Sequence, residues 1–127
     1  MNIFDKAARL LDGITILSEW LGNGGIVVAP EDAQRRANVC LDCENNKPGA
    51  HLPFSVAMHI KRQREFKSRL ELKVEGEKKL HTCSACQCCI PLKIWVPFDD
   101  LMKGDGRSRL NEFPGHCWMV KEAQQQN

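Results

Sequence analysis

Six of the seven cysteines fall into a two-knuckle arrangement, and no other feature of the chain constrains its folding as strongly. Cys40-Leu-Asp-Cys43 is one C-x-x-C. Cys83-Ser-Ala-Cys86 is a second, followed at once by Cys88 and Cys89, with Cys117 alone near the end. Two residues between cysteines let both sulfurs reach one ion while the N–H groups of the turn point at them. Two such pairs supply four sulfurs, a closed tetrahedral shell at about 2.3 Å. A closed shell leaves no position for water, so the metal staples rather than catalyses.

The first quartet this spacing predicts is Cys40, Cys43, Cys83 and Cys86. The 39 residues between the knuckles exceed the roughly 15–20 of a compact ribbon. They are tolerable if the insert packs as its own helix and strand, because loop-closure cost grows slowly with length. Cys88 or Cys117 can replace one sulfur, and all six can form a two-metal cluster with shared thiolates. The metal-ligand set is therefore Cys40, Cys43, Cys83, Cys86, Cys88 and Cys117, holding one Zn²⁺ or two. His81 and His116 flank ligand positions and stand as reserve ligands. Cys89 points the other way if its segment is a strand, and reads as an apolar filler. Four thiolates on one Zn²⁺ leave a formal charge of −2, which Arg35, Arg36 and Lys93 can offset.

Rival chemistries of these cysteines fit less well. A redox C-x-x-C belongs at a helix N-terminus, where the dipole stabilises the thiolate, whereas Cys40 is expected at a helix end. Neither standard ferredoxin spacing is present. Catalytic zinc needs an open position and a general acid or base, and no H-x-E or H-E-x-x-H occurs.

At 127 residues the chain is one domain. Its hydrophobic fraction of 43% allows a core, but an aromatic fraction of 6% without Tyr makes that core lean, a situation in which small proteins often add a metal. No stretch approaches the roughly 20 apolar residues of a membrane span. The first residues lack the pattern of a secretory signal, so a cytoplasmic location is expected. There thiols stay reduced and metal is favoured over disulfides.

Residues 2–21 read as a helix: Ile3, Ala7, Leu10, Ile14, Leu17 and Leu21 recur at spacings of three and four. It is expected to pack on the domain, or else to self-associate through residues 3–21. Pro30 opens a second helix, with Glu31 and Asp32 in its first turn. Residues 54–69 read as a weakly amphipathic helix. Alternation predicts strands over 70–74 and 91–97, and a helical turn over 98–103. The expected fold is a small α+β metal-bound domain. It has zinc-ribbon-like knuckles with short strands, an N-terminal amphipathic helix, and a helical insert between the knuckles. Residues 1–25 form the N-terminal helix unit, 26–123 the zinc-stapled domain and 124–127 a frayed tail.

The run Cys83-Ser-Ala-Cys86-Gln-Cys88-Cys89-Ile-Pro-Leu-Lys93, followed by Cys117-Trp118, resembles uncharacterised small cysteine-rich zinc-binding proteins of tailed phages and prophages. So do Trp20-Leu21-Gly22, Gly24-Gly25 and the Pro-Glu helix running into Cys40-Leu-Asp-Cys43. The resemblance spans residues 18–120, and Cys89 departs from it. It implies a phage origin, bound metal, and membership of Cys88 and Cys117 in the recurring cysteine set. It supplies no activity. Host cytoplasm or the virion would be the location.

The function expected from these features is a non-enzymatic, zinc-binding phage accessory or structural protein acting through a protein partner. The alternative is a zinc-ribbon nucleic-acid-binding protein using the basic insert 61–79. Residues 51–82 carry eight Lys/Arg against four Glu, and Lys61, Arg62, Arg64, Lys67 and Arg69 would contact phosphates. A solvated helix face explains the same run, and a whole-chain pI of 8.2 lies below the guide of about 9 for such domains. No catalytic constellation stands out, and the acidic pair Asp99-Asp100 reads as a helix start.

Overall fold

The computed structural model describes residues 3–49, 51–103 and 107–125. Six α-helices dominate: α1 (Ile3–Gly22), α2 (Pro30–Leu41), α3 (His51–Ser68), α4 (Ile90–Lys93), α5 (Phe98–Leu101) and α6 (Trp118–Gln125). Two strands of two residues each, β1 (Asn46–Lys47) and β2 (Thr82–Cys83), pair antiparallel, and 3₁₀ turns cover Glu77–Lys79 and Arg107–Glu112. The expected small α+β class is met. Strand pairing among the described residues is this two-residue ladder and a single bridge between Thr82 and Cys89. No helix is long and apolar enough to cross a membrane.

The helix α1 docks through its C-terminal half. Ile16 and Leu17 pack against the core and Trp20 is fully buried, its indole N–H donating to the Ile26 carbonyl at 2.7 Å. Ile16, Leu17 and Trp20 are thus the residues of α1 that join the core. Phe4 is left exposed. Gly24 and Gly25, both at positive φ, end the helix in a conformation a side chain would strain.

The helix α2 starts at Pro30 with Glu31 and Asp32 in its first turn and buries Ala33, Arg36 and Ala37. The core gathers Trp20, Trp95 and Trp118 with Leu72, Val74, Leu80, Leu92, Ile94 and Val96. Residues 70–74 keep the alternation expected of a strand, with Leu72 and Val74 buried between exposed neighbours. They form no ladder. Side chains hold the segment instead: Leu72 N–H donates to Glu65 at 2.8 Å and Glu75 N–H to Gln34 Oε1 at 2.8 Å.

The strand expected over 91–97 is replaced by α4 and the turn after it. The physical reason is Pro91 at the head of the segment, where a missing N–H costs a helix nothing. Every residue from Cys89 to Val96 is buried, so the period-2 pattern there never separated an inner face from an outer one. The helix α6 continues to Gln125, into the segment expected to fray, and residues 126–127 lie outside the described residues.

Candidate metal centre

The two knuckles meet because the chain between them is clamped by asparagines. Asn46 and Lys47 pair with Cys83 and Thr82. The Asn46 side chain donates to the Lys79 carbonyl at 2.9 Å and accepts the His81 N–H at 2.8 Å. Ser84 N–H donates to the Asn45 carbonyl at 2.8 Å. The 39-residue insert is closed by these bonds and not by sulfur alone.

Each knuckle is a tight turn. Cys43 N–H donates to the Cys40 carbonyl at 3.1 Å, at the C-terminal end of α2 as expected. In the second, Cys83 N–H donates to Cys88 O at 2.9 Å and Gln87 N–H to Cys83 O at 2.6 Å, with Gln87 at φ 61°. Cys40, Cys43, Cys83 and Cys117 line one cavity of about 20 Å³, together with Lys93, Phe113 and Trp118. That is room for one water or one ion. Cys83 also belongs to the other group, where Cys83 and Cys88 hydrogen-bond to the Cys86 sulfur.

Lys93 links the two groups. Its side chain is buried and its ammonium donates to Cys86 Sγ at 3.0 Å, lying 5.3 Å from the Phe113 ring and 5.5 Å from the Trp118 ring. Burial works against the charge on Lys93. The sulfurs of Cys86, Cys88 and Cys83 outweigh it and hold the ammonium above the usual lysine range. Hydrogen bonds from Cys83 and Cys88 hold the Cys86 thiol well below its ordinary value, Lys93 adding to them and burial opposing. The Cys83 and Cys88 thiols are raised, first by the hydrogen bond each shares with Cys86, which favours the protonated form, and then by burial. Cys86 and Lys93 are therefore in direct contact inside the fold, sulfur against ammonium.

Burial pushes Cys40 up to about 11, against the pull of the Trp118 indole N–H, which donates to its sulfur at 3.2 Å. Burial also raises Cys117. A metal entering here must displace these protons, so uptake weakens as pH falls.

Of the three cations expected to offset thiolate charge, Lys93 does so and the arginines do not. Arg36 donates to both Glu122 carboxylate oxygens at 2.9 and 2.7 Å and to the carbonyls of Ile94 and Val96 at 3.0 and 2.8 Å. Its guanidinium stacks 4.3 Å from the Trp118 ring. Arg35 pairs with Asp32 and Glu122. Arg36 acts at one remove, by stacking on the indole that donates to Cys40.

The donor set fits a thiophilic dication: four cysteines on one cavity, Cys86 and Cys88 grouped with Cys83, and a fixed cation beside them. Among the described residues, however, the donor atoms already drawn within 4.8 Å of one another are Cys43, Glu44 and His116, a group that can hold a metal ion. Glu44 was missed in the sequence. It follows the knuckle directly, but nothing local shows that His116 comes to meet it. His81 contributes its backbone to the Asn46 clamp. Cys89 is buried among apolar side chains, as expected of a filler. Cys89→Ala is expected to cost about 1 kcal/mol for the small cavity and to leave metal content unchanged by mass spectrometry.

The basic run divides. Lys61 is buried and paired with Glu77, and Arg64 Nε donates to the Gly25 carbonyl at 2.8 Å. Arg62, Lys67 and Arg69 remain exposed. Comparison with protein-family models, curated proteins and solved structures finds no match.

Proposed function

We propose that this protein is a non-enzymatic zinc-binding protein, of phage accessory or structural type, whose metal centre holds a surface for another protein. The observation that carries the reading is the gathering of cysteine sulfurs around the buried ammonium of Lys93. To act as ligands these buried thiols must give up their protons, and one lysine cannot balance the charge that results. A dication supplies the missing charge. The clustered donors come from residues 40–43, 83–88 and 117, so an ion there ties the ends of the insert and the start of α6 together.

The partner surface is expected where the fold leaves apolar side chains uncovered. Ile26, Phe66 and Leu70 are exposed, and the Arg64–Gly25 bond ties the Ile26 segment to the last turns of α3, which carry Phe66 and lead into Leu70. The nucleic-acid reading stands second, because Lys61 and Arg64 are committed within the fold. Phage origin rests on the resemblance of the cysteine run.

Native mass spectrometry on protein purified without added metal tests the reading. At least one Zn²⁺ per chain, retained through a wash with a weak chelator, is expected. Iron with visible colour, or a chain that holds no metal after zinc addition, overturns it.

A further inference from the structure

We infer that Cys43, Glu44 and His116 form a second metal site, separate from the buried cluster, which takes an exchangeable borderline dication and leaves coordination positions to water. The site goes beyond the zinc-staple reading and draws on Cys43, which stands at the rim between the buried cavity and His116, so it requires that the staple be closed by the other sulfurs.

The donors already stand at metal spacing. His116 Nε2 lies 3.3 Å from Cys43 Sγ and 3.6 Å from the Glu44 carboxylate. Tetrahedral bonds of about 2.0–2.3 Å to nitrogen, oxygen and sulfur place neighbouring ligand atoms about 3.3–3.6 Å apart. An ion can enter without rearranging the backbone. Both ends are fixed in turns. Cys43 N–H donates to Cys40 O and Asn46 N–H to Cys43 O, each at 3.1 Å, and Cys117 N–H donates to Pro114 O at 3.0 Å.

Charge and donor type agree. A thiolate and a carboxylate neutralise a dication, where four thiolates would leave it at −2. One sulfur, one nitrogen and one oxygen are a borderline set, suited to Zn²⁺ or Co²⁺ and unsuited to Mg²⁺ or Ca²⁺. The His116 and Glu44 side chains are 47% and 67% exposed, so an ion exchanges with solvent and water completes its shell. The buried cluster keeps Cys40, Cys83, Cys86, Cys88 and Cys117.

The same three residue types also make a thiol–imidazole–carboxylate hydrolase triad, and the geometry argues against that use. A triad needs the carboxylate on the ring nitrogen opposite the one facing the thiol. Here Cys43 and Glu44 both face Nε2, which is how ligands surround one ion.

The test is titration of metal-free protein with Co²⁺, read by thiolate-to-cobalt charge transfer and d–d absorption. Wild type is expected to fill a tight phase and then a weaker one. His116→Ala and Glu44→Gln, both at exposed positions, are expected to melt as wild type does. They should weaken only the second phase, by at least about 10-fold, since losing even an outer-shell partner costs 10–100-fold. Titrations of wild type and His116→Ala that superimpose would overturn the site. A tight phase without a weaker one would remove the outer site and leave the buried cluster standing. A single phase sensitive to His116→Ala would keep the outer site and remove the buried one.

Discussion

Arg36→Ala is expected to cost about 3–5 kcal/mol, the scale of breaking a buried ion pair from one side, and to weaken metal binding at the same time. Arg36 is 2% exposed. It supplies four hydrogen bonds, two to Glu122 and one each to the carbonyls of Ile94 and Val96. Alanine leaves those two carbonyls without donors in the core, where each costs about 1–3 kcal/mol. It also removes the cation stacked on Trp118. A loss of this size lowers Tm by more than about 10 °C in a domain of this length. The second effect follows from geometry: the Trp118 indole that Arg36 holds is the donor to Cys40 Sγ. Loosening it should weaken metal affinity about 10–100-fold, as expected of an outer-shell partner. Thermal melts of the metal-loaded and metal-free forms separate the two. A Tm within about 3 °C of wild type in both forms would show that Arg36 is not the strut its bonds imply.

Arg36 also shows where the sequence stops being legible. Its place on α2 follows from the spacing of Ala33 and Ala37, and the start of that helix at Pro30 is plain. Its partner Glu122 is 86 residues away on a helix, α6, that the sequence reading did not find. That helix has eight residues, too few for a periodic stripe to declare itself. The longer helix α1 was legible for the opposite reason, since apolar spacing repeats over several turns, whereas on α3 the helix was legible and its buried face was not: Phe66 is exposed and Lys61 buried. Residues 70–74 gave the right alternation and the wrong element: Leu72 and Val74 do point inward, but a ladder needs a partner strand, which no local pattern reports. Residues 91–97 misled because burial on both faces erases the period. At the site, the cysteine spacing announced two knuckles and Cys89 as filler. The role of Lys93 was legible as charge balance beside thiolates, while the choice of Lys93 over Arg35 and Arg36 depends on tertiary placement. The meeting of Glu44 with His116 is likewise set by where the turn before α6 lands.

Cys83→Ser is expected to be the most damaging single cysteine change. Cys83 sits on β2 opposite Asn46, lines the cavity shared with Cys40, Cys43 and Cys117, and hydrogen-bonds to Cys86. It is the sulfur common to both groups, so its loss opens both, and serine is a poor ligand for a thiophilic ion. Metal that binds only the folded chain stabilises it by about 4 kcal/mol at a thousandfold excess over Kd. In zinc-finger peptides the whole folding free energy comes from the ion. This chain falls between those cases, because Trp20, Trp95 and Trp118 with their neighbours form a core that does not need the ion. The expected result is therefore a variant with less bound metal, a Tm at least about 10 °C lower, and fast amide exchange confined to residues 40–47 and 81–89, with protection kept around Trp95. The metal-free wild type should reproduce the same exchange pattern, and Cys89→Ala should not. If Cys83→Ser keeps its metal and melts with wild type, the knuckles are not the staple. The Asn46 clamp and the Lys93–Cys86 pair would then be what holds the two halves of the site together.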